Sequence, residues 1–279
     1  MMLLDVLKGR THTVSRLFIA ALAGLLFAGS AVAQNLGTTF TDLWYTPGED
    51  GWGATIDHQQ NVMFLTFYVY RADRSPYWVT AVLTKVGTGG LANPPQVFTG
   101  NVFEDHGPWF GDPFNPATVV ENTVGTATLT APTLLTATLQ YSINGVTVTK
   151  NIQRLTLSYV NYSADYYGVI SYTLSNCQNP AQNGTSILDK GGMLVSQFGT
   201  SFQLILQGQS ATCNFAGTYR QAGSIGQVDG NYACTDGTGS TFSIIELQWT
   251  LWGLTGAIVG NNRFCNLSGY LGGITGQHR

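Results

Sequence analysis

Apolar and polar residues alternate along most of this chain, and this period constrains the fold more than any other feature of the sequence. Beyond residue 33, no stretch has the three- to four-residue apolar spacing of an amphipathic helix. Successive side chains of a strand point to opposite faces, so a period of two residues predicts β-strands. Strands are predicted at residues 52–58, 62–70, 77–83, 97–104, 123–129, 135–143, 146–155, 167–174, 192–197, 202–207, 213–220, 227–234, 242–249, 254–259 and 264–271.

These strands fall into two groups of similar size, separated by a tyrosine-rich stretch without a core pattern. Each group is large enough for one small barrel or sandwich. We therefore predict an all-β protein made of two consecutive antiparallel meander domains. The domains are residues 34–158 and 166–279, joined by a linker at residues 159–165, and the second contains all four cysteines.

The clearest turn is Asn144-Gly145, a dipeptide typical of a two-residue type I′ hairpin. Pairing Ile143 with Val146 across it places Leu139 opposite Lys150, and every second residue of the hairpin then shares one apolar face. A half-buried antiparallel sheet has this pattern.

Two cations, Lys150 and Arg154, lie on that apolar face. A buried unpaired cation is costly, so both need an opposite charge or water. They predict either an anion or carboxylate site inside a barrel, or structural pairs with Glu49, Asp57 or Glu104.

Residues 62–70 (VMFLTFYVY) are apolar on both faces. We expect this strand to be covered on both sides. A sandwich, a small barrel packed against a second domain, or a barrel that holds an apolar ligand would cover it.

The N-terminus has the features of a secretory signal peptide. Lys8, Arg10 and Arg16 precede an uncharged apolar run at residues 17–29, and Ala31-Val32-Ala33 precedes Gln34. The run is shorter than the roughly 20 residues that span a bilayer, so we predict cleavage after residue 33 and no transmembrane helix in the mature chain. The protein is then exported, to the periplasm or the medium, and its formal net charge changes from −3 to −5.

The cysteines at 177, 213, 234 and 265 match no zinc or redox spacing. An even number of cysteines in an exported chain predicts two disulfides. Three connectivities are open. We favour Cys213 with Cys234, which flank one predicted hairpin, and Cys177 with Cys265, which would tie the ends of the second domain together.

Three stretches of the first domain share a pattern. They are residues 44–53 (WYTPGEDGWG), residues 64–70 followed by Pro76-Tyr77-Trp78, and residues 145–154 (GVTVTKNIQR). Together they resemble a set of uncharacterised secreted proteobacterial proteins with the module W-x-x-P-x-E-x-G-W-G, F-x-Y, P-x-W and V-x-V-x-K-x-I-x-R. The match covers about residues 40–155, and Gly48, Asp50 and Arg74-Ser75 depart from it. The resemblance implies a bacterial source and an extracytoplasmic location, and it implies no activity.

Six aromatic and acidic residues predict either a sugar-binding platform or ordinary core packing, namely Trp44, Trp52, Trp78, Glu49, Asp50 and Asp57. His58 lies on the same predicted face as Trp52. Glu104-Asp105 beside His106 is consistent with a cation site, a glycosidase acid or a solvated loop. The residues predicted to bind a ligand are Trp44, Glu49, Trp52, His58, Trp78, Lys150 and Arg154. No catalytic or metal-ligating residue and no cofactor is predicted.

The sequence contains no nucleophile elbow, zinc-protease, P-loop or dinucleotide motif. Acidic residues slightly outnumber basic ones, and this negative net charge argues against a nucleic-acid partner. We therefore expect a non-catalytic binding module at the cell envelope, whose partner is a small molecule, a glycan or an envelope protein. The alternatives are an envelope-polymer hydrolase and an outer-membrane β-barrel, whose strands also alternate.

Overall fold

The computed structural model describes residues 39–89 and 94–275. The predicted signal peptide lies outside these residues. The described chain is all-β and forms two closed antiparallel barrels of eight strands, which confirms the predicted fold class.

The first barrel is a meander in which each strand pairs with the next and β8 pairs back to β1. Its strands are β1 Asp42–Tyr45, β2 Gly53–Gln59, β3 Val62–Tyr70, β4 Pro76–Val86, β5 Gln96–His106, β6 Val120–Ala131, β7 Thr136–Ile143 and β8 Val146–Arg154. A short 3-10 turn, Pro116–Thr118, precedes β6. The sequence prediction missed β1, because four residues are too few to show a period.

The second barrel repeats this arrangement, with β9 paired to β16. Its strands are β9 Ala164–Ser175, β10 Ser186–Phe198, β11 Ser201–Gln207, β12 Thr212–Ala222, β13 Ile225–Cys234, β14 Gly239–Thr250, β15 Gly253–Asn261 and β16 Asn266–Thr275. A 3-10 turn, Pro180–Gln182, lies between β9 and β10.

The β7–β8 hairpin has the predicted register, with Ile143 opposite Val146 and Leu139 opposite Lys150. Asn144 and Gly145 adopt φ of 50° and 82°, as a type I′ turn requires. The inward side chains Ala137, Leu139, Tyr141 and Ile152 are buried in the core of the first barrel.

Strand β3 is covered on one face only, so the prediction that both faces are covered is wrong. Met63, Leu65 and Phe67 are fully buried, whereas the outward residues Phe64 and Tyr68 are about half exposed. A closed eight-stranded barrel encloses only its inward side chains. The outer face of β3 therefore presents aromatic residues to solvent.

Hydrogen bonds join one end of the first barrel to one end of the second. Thr39 N donates to Glu246 Oε1 (3.0 Å), and Ser224 N and Oγ donate to Asp42 Oδ2 (2.8 and 3.0 Å). Gly223 N donates to Thr156 Oγ1 (2.9 Å) in the segment between β8 and β9. We call the end of each barrel that lies opposite this junction its far end. Because the turns of a meander alternate between its two ends, every second turn of each barrel lies at the far end, and this end can open to solvent.

Both favoured disulfides are confirmed. Cys213 is bonded to Cys234, its direct neighbour across β12 and β13, and Cys177 is bonded to Cys265. The first bond joins two strands, and the second joins the β9–β10 connection to the β15–β16 turn. Both lie at the far end of the second barrel.

Candidate functional site

The three tryptophans of the predicted platform do not share a surface. Trp44 is 1% exposed in the core, where its Nε1 donates to Phe40 O (2.9 Å). Trp78 is 53% exposed on the outer face of β4, opposite Tyr68. Trp52 is partly buried and donates to Tyr141 Oη (3.2 Å).

Glu49, Trp52 and Lys150 meet at the far end of the first barrel. The Lys150 ammonium is paired with the Glu49 carboxylate and lies 5.5 Å from the centre of a Trp52 ring. The charge of Lys150 is thereby matched within the protein. Of the two alternatives that the sequence predicted for Lys150, an anion site or a structural pair, the structure has the pair with Glu49.

Arg154 and His58 lie at the opposite end, near the second barrel. The Arg154 guanidinium donates to Leu134 O (2.7 Å) and Asp42 Oδ2 (2.9 Å), with further bonds to main-chain oxygens of Thr39 and Thr41. Burial lowers the pKa of Arg154, and the bond to Asp42 opposes that shift. Asp42 was not among the acids predicted to pair with it.

The His58 ring is held on both nitrogens. Nδ1 accepts from Phe40 N (3.3 Å), and Nε2 lies 2.8 Å from Gln60 O. The ring also packs edge-on against Phe40 and Phe98. These contacts fix the β2–β3 turn against the core.

The far end of the first barrel contains a wide depression of about 700 Å³. Arg71 pairs with Glu104 (3.0 Å) at its edge and lies 4.1 Å from the centre of the Tyr77 ring. The Tyr77 hydroxyl is buried and has no hydrogen-bond partner among the described residues, and burial raises its pKa. Arg71 lines this depression and is paired with Glu104, so its charge is matched within the protein.

The far end of the second barrel contains a deeper cavity of about 230 Å³. Its floor consists of inward side chains that belong to the barrel core, and its rim includes residues of the β11–β12, β13–β14 and β15–β16 connections. The floor residues include Ile170, Leu206, Phe215, Phe242 and Ile258. The interior is apolar, and the polar groups lie near the opening.

Aromatic packing closes the opposite end of the second barrel. Tyr162 Oη donates to Leu247 O (3.1 Å), Tyr166 Oη donates to Tyr162 O (2.7 Å), and Trp249 packs against both tyrosine rings. Burial raises the pKa of Tyr166 and Tyr219 to about 12. The cavity therefore opens at one end only.

The cavity wall is held in place by packing and by a covalent bond. Phe215 stacks on Tyr232 and meets Phe242 edge-on, both at 5.2 Å between ring centres. Cys213 and Cys234 line the wall, and their disulfide joins β12 to β13 there. A cavity formed by such groups is present before a ligand arrives, which lowers the cost of binding.

Two carboxylates lie at the opening. Asp189 is on the inward face of β10, and its Oδ1 accepts from Lys190 N (3.0 Å) and Gln209 N (2.8 Å). Asp236 lies in the β13–β14 turn, where hydrogen bonds from Thr238 lower its pKa. Within residues 39–89 and 94–275, neither acid forms an ion pair.

Tyrosines beside the acids stay neutral. Burial, with the charges of Asp236 and Asp189, raises the pKa of Tyr172. Burial is also the main cause that raises the pKa of Tyr232 to about 12. At neutral pH, the opening therefore places two uncharged phenols beside Asp189 and Asp236.

Sequence reasoning missed this site. The strand predicted at residues 192–197 began too late to include Asp189. The alternation of buried residues at Val195 and Met193 continues toward the N-terminus and places Gly191, Asp189 and Ile187 on the inward face. A strand extended in this way would have predicted an acid inside the barrel.

His106 and Glu104 bear on the hydrolase alternative. His106 Nε2 lies 4.0 Å from Glu104 Oε1, and the His106 side chain is 61% exposed. In the part of the chain that the structure describes, no hydroxyl or thiol is hydrogen-bonded to this ring, and no three metal-ligating side chains form a group. No described helix has the length and apolarity to span a membrane.

Comparison with protein-family models, curated proteins and solved structures found no match to this chain. The resemblance to secreted proteobacterial proteins therefore stays a prediction.

Proposed function

We propose that this protein is an exported, non-catalytic binding protein that holds a small, mainly apolar molecule in the second barrel. The observation that carries the proposal is the cavity of about 230 Å³, with an apolar floor and polar groups confined to its opening. Eight-stranded barrels have interiors just wide enough to be filled by side chains or to hold one small ligand. Ligand sites are typically apolar with a few polar groups that fix orientation.

The cavity volume limits the size of the ligand. A cavity of about 150 Å³ lined by Leu, Ile and Phe holds benzene. The larger cavity here is suited to one ring, or to a chain of about six carbons. For a ligand of this size, we expect a Kd on the order of 10 to 1,000 μM for the apolar contacts alone.

Export is part of the proposal and rests on residues 1–33 together with the disulfides. Both pairs lie at the cavity end of the barrel, so oxidation of the cysteines holds the rim together. An oxidising compartment is where such bonds form and persist. The site is therefore suited to the periplasm or the medium.

Titration of residues 34–279 with hexan-1-ol, followed by isothermal calorimetry and by NMR of Ile and Leu methyl groups, tests the proposal. Ala211 is 9% exposed and lines the cavity, so Ala211→Leu should weaken binding by at least about tenfold. Ala216 is on the outward face of β12, and Ala216→Leu is the matched control that should bind as the wild type does. Failure of every six-carbon probe to bind, or unchanged binding to Ala211→Leu, would overturn the proposal.

A further inference from the structure

We infer that the ligand of the second-barrel cavity is an amine, with its protonated nitrogen at Asp189 and Asp236 and its apolar part on the cavity floor. This inference rests on the proposed function and names the chemical class that the same site selects.

Charge at the opening is the first argument. Asp189 and Asp236 both line the cavity, and no Lys or Arg is among the described residues that line it. Neither carboxylate is matched by an ion pair in the described part of the chain. The depression of the first barrel differs, because Arg71 lies in its lining and is paired there with Glu104. A cationic ligand would match the charge at the second opening.

The position of Asp189 is the second argument. It projects inward from β10, directly opposite Ile170 on β9, which is 3% exposed. Oδ1 accepts two main-chain N–H groups, and Oδ2 has no hydrogen-bond partner among the residues that the structure describes. Oδ2 can therefore accept a charge-assisted hydrogen bond from an ammonium N–H.

The carboxylate lies directly against the main chain of the β11–β12 connection. A Cβ at residue 208 would lie 1.9 Å from Asp189 Oδ2, so the glycine at this position leaves room for the acid. The main-chain bond from Gln209 then fixes the direction of the carboxylate. The acid is positioned by its surroundings rather than left free to turn into solvent.

Aromatic rings supply the third argument. Tyr172, Phe215 and Tyr232 line the same cavity. Aromatic faces attract cations within about 6 Å of the ring centre. Because the raised pKa of Tyr172 and Tyr232 keeps both phenols neutral, they also remain donors and acceptors for a polar ligand group.

Three probes of similar size separate the charge preference from apolar binding: hexylamine, hexan-1-ol and hexanoate. Titrated at pH 7 into residues 34–279, hexylamine should bind roughly tenfold tighter than hexan-1-ol, and hexanoate should bind more weakly than either. Raising the salt concentration should weaken hexylamine binding and leave hexan-1-ol binding nearly unchanged.

Substitution of the two acids tests whether they cause the preference for hexylamine over hexan-1-ol. In Asp189→Asn/Asp236→Asn, hexylamine should bind no more tightly than hexan-1-ol, because Asn keeps the shape and acceptor of each side chain and removes its charge. Asp165 is exposed on β9 and does not line the cavity, so Asp165→Asn is the matched control that should keep the preference.

The outcomes distinguish this inference from the proposed function. Binding of hexan-1-ol in the cavity as tightly as hexylamine overturns the amine inference and leaves the binding function standing. A preference for hexylamine that persists in the double Asn variant also overturns it. Failure of all three probes to bind overturns the proposed function and the inference together.

Discussion

Replacing Arg154 by Met tests whether the ion pair at the barrel junction stabilises the fold. The Arg154 side chain is fully buried, and the Asp42 side chain is 13% exposed. Met preserves an unbranched apolar chain but removes every donor. The Asp42 carboxylate would then remain buried without its cation, and Leu134 O would lose a hydrogen bond of 2.7 Å.

The expected cost follows from burial. Removing one partner of a buried ion pair typically costs about 3–5 kcal/mol, because a charge is left uncompensated. Asp42 would keep the hydrogen bonds from Ser224 N and Oγ, which places the expected loss at the lower end, about 3 kcal/mol. Lys150 on the same face of β8 provides the contrast. Its side chain is 20% exposed and that of Glu49 is 41% exposed, so Lys150→Met should cost only about 1 kcal/mol.

Urea denaturation followed by both tryptophan fluorescence and far-UV circular dichroism measures these losses. Two probes are needed because a chain of two barrels need not unfold in one step. A loss of less than about 1 kcal/mol in Arg154→Met, or an equal loss in Lys150→Met, would refute this role of the buried ion pair.

Three further substitutions have defined expectations. Cys177→Ser/Cys265→Ser should lower stability by about 2–4 kcal/mol in thermal unfolding, and an unchanged midpoint would contradict the structural role of this bond. Burial raises the pKa of Glu246, so its ionisation costs stability as pH rises from its unfolded pKa through its folded pKa. Glu246→Gln should therefore be more stable than the wild type at pH 7 and equal to it at pH 4 in urea denaturation, and equal stability at pH 7 would refute this assignment. Gly145 adopts φ of 82° with no atom near a Cβ, so Gly145→Ala should cost about 1 kcal/mol from backbone strain alone, and a neutral result would count against the type I′ turn.

Local signals predicted the strands well because the inward face of a barrel follows the period of two. Asn144-Gly145 even predicted the register of β7 with β8, since a two-residue turn leaves one way to pair the flanking residues. The pairing of Cys213 with Cys234 followed from the same kind of local argument. These features depend on residues that are close in sequence.

Features that depend on distant residues were not predictable. Arg154 pairs with Asp42, which is 112 residues away on β1, and β1 itself is too short to show a pattern. Closure into a barrel also decides that the outer face of β3 is exposed, and no residue within β3 indicates closure. The partner of a buried charge depends on which strands complete the barrel.

The position of the cavity follows from the sizes of inward side chains rather than from topology. In the first barrel, which has the same strand order, Phe40, Trp44, Phe67 and Phe98 are fully buried or nearly so, and the space at its far end is a wide, open depression. The far end of the second barrel is instead lined partly by small residues, namely Ser210, Ala211, Cys213 and Gly260. These small residues leave a space unfilled at the far end. At the opposite end, Tyr162, Tyr166 and Trp249 fill the interior of the barrel. Both disulfides lie at the far end: Cys213–Cys234 lines the cavity, and Cys177–Cys265 packs in a separate apolar cluster with Leu174. Covalent bonds therefore tie together the strands around the space that side chains leave unfilled.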